Sequence, residues 1–139
     1  MANALYDKGR EAFLNKLIDW GTGTGGDNIK VVLVDVADYT VNLATHQFLS
    51  DVAAAGRVAT SANLAGKSVT AGVADANDIT FSAVSGDPSE CLVIYQDTGT
   101  ATTSRLIAYI DTATGLPVTP NGGDITVTWD NGANKIFKL

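Results

Sequence analysis

Two residue types that often serve as bases or nucleophiles occur once each in this chain, as His46 and Cys91. A hydrolase of the Ser–His–Asp kind would need His46 as its base, but no recognised nucleophile motif surrounds it. Cys91 opens the apolar run CLVIY, without a basic neighbour to lower the pKa of its thiol. Free cysteines in such runs are usually buried, so we expect Cys91 in the core. The sequence therefore predicts no catalytic residues and no enzyme.

The run GTGTGG at residues 21–26 matches the G-x-G-x-x-G pattern of dinucleotide sites by letter. In those sites a strand precedes the motif and a helix follows it, so that the helix N-terminus meets the pyrophosphate. Here the apolar patterns predict a helix before the motif and a strand after it. We interpret residues 21–27 as a flexible, glycine-rich linker, and we expect no cofactor.

Metal ligands are scarce in the sequence. One histidine and one cysteine cannot supply the three or four nitrogen and sulfur ligands that zinc usually takes. The segment from Asp75 to Asp78 lacks the length and spacing of a calcium loop, and Asx turns account for aspartates at such places. The sequence predicts no metal site, although spacing alone leaves a paired-carboxylate glycosidase open. The aspartates near predicted strand ends and turns are Asp35, Asp38, Asp75, Asp78, Asp87 and Asp97.

Charge and hydropathy narrow the class of partner. The net charge is −6, with 15 acidic and nine basic residues, and the basic residues are scattered. Nucleic-acid binding needs a basic face, so we expect no nucleic-acid partner. No apolar run approaches the ~20 residues that span a bilayer, and the N-terminus lacks the apolar core of a signal peptide. We expect no membrane association and synthesis in a host cytoplasm.

The elements that carry these residues begin with a predicted helix over residues 3–20, with Asn3 as its N-cap. Apolar residues at spacings of three and four form a stripe along it. Gly9 lies on this stripe, and because glycine costs about 1 kcal/mol in a helix interior, it indicates close approach to another backbone. The stripe either packs on the chain's own sheet or docks on a partner. The predicted partner interface on it comprises Leu5, Tyr6, Phe13, Leu17 and Trp20.

Residues 28–139 have the pattern of antiparallel β structure. The run NIKVVLVDV predicts a strand buried on both faces, and CLVIYQD with RLIAYID predicts a hairpin. Asn131-Gly132 predicts a second hairpin, and the prolines within residues 116–120 indicate an edge. We predict one domain over residues 1–139, because domains usually have about 100–200 residues. The predicted fold is mainly β, an antiparallel, jelly-roll-like β-sandwich with one N-terminal α-helix.

Three stretches resemble small virion structural proteins of tailed bacteriophages. They are NALYDKGREAFL, IKVVLVDVADYTVNLATHQFLSDV and RLIAYIDTATGLPVTPNGGDITVTWDNGANKIFKL. The chain is most similar to the capsid cement, or decoration, proteins of short-tailed phage heads. That resemblance implies a β-sandwich on the capsid exterior that bridges subunits of the shell, and it implies no catalytic residues.

From this resemblance we expect a structural virion protein that binds the major capsid protein and stabilises the head. A homodimer or another homo-oligomer on the shell is expected, since closed symmetric oligomers are the commonest. One alternative is a structural component of the phage neck or tail. Another is a carbohydrate-binding β-sandwich with stacking surfaces at Trp20, Trp129, Tyr39 and Tyr95.

Overall fold

A computed structural model describes residues 3–139 of the chain. The fold is mainly β, with 33% of residues in strands and 10% in helices. All strand pairs are antiparallel within the described residues, and one α-helix lies near the N-terminus, as predicted. In chain order the elements are β1 (Ala4–Leu5), α1 (Asp7–Leu14), β2 (Ile29–Val34), β3 (Arg57–Thr60), β4 (Ser68–Thr70), β5 (Val73–Asp75), β6 (Ile79–Phe81), β7 (Cys91–Gln96), β8 (Leu106–Ile110), β9 (Ile125–Val127) and β10 (Phe137–Lys138).

The described strands form three sheets. The largest has five strands in the order β1-β8-β7-β2-β3, the second has the order β10-β5-β4, and the third pairs β6 with β9. Two short 3-10 turns, Leu49–Asp51 and Ala54–Gly56, precede β3. The jelly-roll-like sandwich stays a prediction, since the strands divide into sheets of five, three and two.

The central strands of the large sheet are buried on both faces. All six residues of β7 are buried, and so are five of the six in β2. Successive residues of β2 alternate between two apolar clusters: Val31 and Leu33 lie in one, Val32 and Val34 in the other. This alternation follows from the period of two along a strand. The prediction of a strand buried on both faces is confirmed.

Different parts of the chain cover the two faces. Residues of α1, of the two smaller sheets and of the C-terminal segment cover one face, and among them are Ala12, Ala74, Phe81, Val127 and Trp129. The segment between β2 and β3 covers the other face together with the residue that precedes α1, through Tyr6, Tyr39, Leu49 and Val52. Neither face of the central strands is therefore left in contact with water.

The helix is shorter than the predicted span of residues 3–20. It covers Asp7–Leu14, and Ala4–Leu5 form β1 ahead of it. Asn3 does not cap the helix: its side chain donates to the Thr112 carbonyl and accepts from the Thr112 N–H, both at 3.0 Å. Apolar spacing alone cannot distinguish this short edge strand from a first helical turn, because pairing with β8 is a long-range contact.

A Schellman motif ends the helix after Leu14. The N–H of Lys16 donates to the Phe13 carbonyl, and the next N–H along the chain donates to the Ala12 carbonyl. Lys16 has a φ of 61°, the left-handed conformation that this motif requires. The turn redirects the chain, so residues 17–20 do not continue the predicted helix.

The glycine-rich linker predicted at residues 21–27 forms a turn held by hydrogen bonds. The Asp27 N–H donates to the Asp19 carbonyl at 2.8 Å, and the Asp19 N–H donates to the Asp27 carboxylate at 2.8 Å. The buried Lys67 ammonium donates to the Asp27 carbonyl at 2.9 Å. Gly26 has a φ of 77°, and a Cβ there would lie 2.8 Å from the Asp19 carbonyl oxygen. Gly26 therefore permits the close packing of this turn.

One predicted hairpin is confirmed and the other is wrong. β7 pairs with β8, as the runs CLVIYQD and RLIAYID predict. The strands on either side of Asn131-Gly132 have other partners, because β9 pairs with β6 and β10 pairs with β5. Within residues 116–120, Val118 forms only an isolated bridge with Ser89. Local turn residues permit a hairpin, but burial of each strand against the core selects its partner.

The close approach predicted at Gly9 is confirmed. A Cβ at this position would lie 2.7 Å from the Leu106 carbonyl oxygen and 3.1 Å from the Ile107 carbonyl oxygen. Both are backbone atoms of the buried strand β8, so they cannot move aside cheaply. The helix thus packs directly on the backbone of the large sheet.

We expect Gly9→Ala to lower the free energy of unfolding by about 1–3 kcal/mol, because overpacking outweighs the ~1 kcal/mol that alanine gains in a helix. Urea denaturation measures this change. Glu11→Ala is the matched control on the exposed face of the same helix, with an expected change within about 0.5 kcal/mol. An increase in stability for Gly9→Ala would contradict the packing described here.

Candidate functional site

The structure separates the five residues of the predicted partner interface. Leu5, Tyr6 and Trp20 are buried, with exposed fractions of 5%, 0% and 4%. Phe13 is half-buried against the core, and Leu17 is 48% exposed. A partner that docks on this conformation can reach Phe13 and Leu17, whereas the other three side chains pack within the chain.

An apolar groove of about 250 Å³ opens beside Phe13. The indole of Trp20 and the ring of Phe137 meet edge to face, with their centroids 5.2 Å apart. Val69 and Leu139 line the same groove and are 51% and 54% exposed. We call these five residues and the space between them the apolar groove. Its lining is mainly apolar.

The register of the three-stranded sheet creates the apolar groove. Val69 of β4 and Phe137 of β10 both lie opposite Ala74 of the central strand β5. Directly opposed residues project to the same side of a sheet, so the three side chains form a row. Because Ala74 is small, a depression is left between its larger neighbours. The C-terminal residue Leu139 is held alongside by its N–H, which donates to the Gly72 carbonyl at 3.0 Å.

Trp20 is fixed in the floor of the groove by a polar contact. Its indole N–H donates to the Asp75 carbonyl at 3.3 Å. Phe13 reaches the same place from the last turn of α1, with its ring centroid 6.0 Å from that of Phe137. Phe13 and Trp20 are among the interface residues predicted from the sequence, whereas the other three residues of the groove are not. Those residues come from two separate segments, β4 and the C-terminal segment that contains β10, and only the β-sheet register brings the two together.

His46 takes part in a chain of hydrogen bonds. The Tyr6 hydroxyl bonds the Tyr39 hydroxyl at 2.8 Å, and the Tyr39 hydroxyl bonds His46 Nδ1 at 2.9 Å. The Asn42 N–H also donates to Nδ1, at 3.3 Å. Burial raises the pKa of Tyr39 to about 12, so its hydroxyl stays protonated at neutral pH. This chain of bonds ties the segment between β2 and β3 to the core.

Asp51 lies close to His46 without forming a catalytic pair with it. The Asp51 carboxylate accepts the backbone N–H groups of Gln47 and Phe48 at 2.8 and 2.9 Å. Burial raises the pKa of Asp51, but these two bonds and the nearby imidazole together hold it below its usual range. The carboxylate therefore stabilises the turn at Leu49–Asp51, which precedes β3.

Cys91 is fully buried, as predicted. Its Sγ lies 3.9 Å from the Val34 carbonyl oxygen, and the thiol is in the second apolar cluster. Burial raises the pKa of the Cys91 thiol to about 12. The thiolate, which is the reactive form, is therefore scarce at neutral pH.

Asp35, Asp38 and Asp87 form the one group of metal-type ligands found among residues 3–139. Their carboxylate oxygens all lie within 4.8 Å of one another. Asp35 is buried, and its Oδ1 accepts the Ala37 N–H at 2.8 Å in an Asx turn. Three carboxylates can offer part of the six to eight oxygens that calcium takes.

Asp78 and Asp97, two of the other aspartates near strand ends, form structural contacts. Asp78 accepts the backbone N–H of Trp129 at 2.9 Å. Asp97 pairs with the Lys30 ammonium at 2.8 Å, and this contact holds the pKa of Asp97 below its usual range. These carboxylates fasten strand ends.

The four aromatic residues proposed as sugar-stacking surfaces are all buried. A stacking platform must present an open ring face, and burial removes that face from solvent. The carbohydrate alternative therefore has no platform at these positions, which are Trp20, Trp129, Tyr39 and Tyr95.

The chain matches no protein-family model and no curated protein sequence. Within residues 3–139, none of the helices is long and apolar enough to cross a membrane. Neither comparison assigns an activity, so the surface of the described residues is the basis for a functional proposal.

The burial of Cys91 predicts slow reaction with a thiol reagent. At pH 8 we expect the native thiol to react with Ellman's reagent roughly a thousandfold more slowly than the same thiol in guanidinium, because its pKa lies far above the usual ~8.5. Ser68→Cys, which places a second thiol on the exposed strand β4, is the control for reagent access. If Cys91 in the unsubstituted native chain reacted as fast as the thiol introduced by Ser68→Cys, Cys91 would not be buried.

Proposed function

We propose that this chain is a structural virion protein that binds the outside of a phage head and cements capsid subunits together. Its partner is the major capsid protein, and copies associate as a homodimer or another homo-oligomer on the shell. The resemblance of residues 3–139 to decoration proteins of short-tailed phages supports the proposal. The apolar groove is the single structural observation that carries it.

The apolar groove has the chemistry of a docking surface. The half-exposed aliphatic side chains of Val69 and Leu139 form its rim, and aromatic side chains form its floor. Full burial of one such aliphatic side chain stabilises a complex by about 1.5–3 kcal/mol. A capsid presents the same docking point many times, so copies that also contact one another gain affinity through multivalency.

The contacts of the potentially reactive side chains also favour a binding role. His46 is engaged by Tyr39 and Asn42, and Cys91 is enclosed in the core. A nucleophile needs a base within hydrogen-bond reach, at about 2.6–3.2 Å, and a path for substrate. Cys91 has no exposed surface, so it lacks such a path in this conformation.

The test uses expanded, unfilled heads of the phage that encodes this chain. We expect the full chain to co-sediment with heads at a fixed stoichiometry. Val69→Lys should weaken the apparent affinity by about tenfold or more, because a charge replaces a side chain whose burial stabilises the complex. Val36→Lys is the matched control: Val36 is 39% exposed and lies outside the apolar groove.

Three results would overturn the proposal. The first is binding to purified necks or tails while heads stay bare, which would favour the alternative structural location. The second is binding to glycans without binding to heads. The third is equal loss of head binding in Val69→Lys and Val36→Lys, which would remove the apolar groove from the interface.

A further inference from the structure

A second surface feature lies between the two larger sheets. A cleft of about 300 Å³ is lined by β1 on one side and by β10 on the other. Each of these strands is the end strand of its sheet, as the orders β1-β8-β7-β2-β3 and β10-β5-β4 show. Two sheet edges therefore border one cleft, and we call it the edge cleft.

Backbone groups on edge strands lack one set of β-sheet partners, so an edge strand can pair with a strand from another chain. In β1 the Leu5 carbonyl oxygen accepts Arg10 Nη1 at 3.5 Å. That distance exceeds the usual 2.7–3.2 Å of an N–H···O bond, so the contact is weak. A backbone N–H from an added strand would make a shorter bond with the same oxygen.

The charge of the edge cleft is opposite to that of the whole chain. Three of its twelve lining residues are basic, Arg10, Lys135 and Lys138, and one is acidic, Asp130. The chain as a whole has 15 acidic and nine basic residues. Basic side chains are thus concentrated at this cleft, on a protein whose net charge is −6.

Two of the three cations have no acidic partner among the described residues. Arg10 pairs with Asp7 at 3.0 Å, and the other ion pairs within residues 3–139 are Lys8–Glu11 and Lys30–Asp97. Lys135 is half-buried in the lining and Lys138 is exposed. Their charges are therefore available to an anionic ligand.

We infer that the edge cleft accepts an extended, acidic segment of a partner protein. The segment adds to the sheet edge at β1 and places a carboxylate side chain near Lys135 and Lys138. Strand addition of this kind takes affinity from main-chain hydrogen bonds and specificity from alternate side chains. A volume of about 300 Å³ is at the lower end of small-ligand sites, which suits a few side chains of a peptide.

This inference is independent of the capsid proposal, because it concerns a different surface and is tested on the isolated chain. The probe is a capped hexapeptide of alternating valine and glutamate, and the control peptide alternates valine and lysine. Titration is followed by the backbone amide signals of the full chain in nuclear magnetic resonance. We expect saturable shifts in β1 and β10 with the glutamate peptide, and none with the lysine peptide.

Charge reversal in the cleft tests the contact directly. Lys135→Glu and Lys138→Glu should each weaken glutamate-peptide binding by roughly threefold or more. Lys16→Glu is the matched control, since Lys16 is exposed, lies outside the edge cleft and has a positive φ of 61°, as Lys135 has at 47°. Lys16→Glu should leave the affinity unchanged.

Several outcomes would overturn the inference. One is equal binding of both peptides, which would show that charge does not select the ligand. A second is a set of shifts confined to the apolar groove. A third is that acetate, at an equal carboxylate concentration, produces the same amide shifts as the glutamate peptide. That result would identify a site for small anions and would exclude binding of an extended strand.

Discussion

Burial of β7 on both faces is the constraint that organises this molecule. Every residue of β7 is buried, between β8 on one side and β2 on the other. Antiparallel sheets commonly leave one face in water. Both faces of this sheet are apolar at its centre, so each face needs other parts of the chain to cover it. The smaller sheets and α1 supply one, and the segment around Tyr39 and Val52 supplies the other. The Tyr6–Tyr39 hydrogen bond joins the N-terminal segment to that second cover.

The surfaces with binding potential arise at the margins of these covers. The three-stranded sheet packs on the large sheet through Ala74, and the same register leaves Val69 and Phe137 as two sides of the apolar groove. The edge cleft lies where that small sheet ends beside β1. Both surfaces thus form where other parts of the chain pack over the large sheet, and the N-terminal segment is one of those parts.

The features predicted correctly from the sequence are those that depend on local residue patterns. The continuous apolar runs identified β2, β7 and β8, and Gly9 indicated a backbone contact, because burial on both faces and close packing restrict residue type directly. The helix length was wrong because Leu5 and Trp20 satisfy the apolar spacing of a helix although β1 and a turn place them in the core. The apolar groove could not be predicted from the sequence, since it depends on which strands pair with β5.

A density map of decorated heads, at a resolution that shows side chains, would reveal which surface of this chain contacts the capsid. We expect each copy of this chain to turn its apolar groove toward a capsid subunit, with Val69 and Leu139 buried in the contact. A map in which these two side chains face solvent, or in which heads carry no copy of the chain, would contradict it.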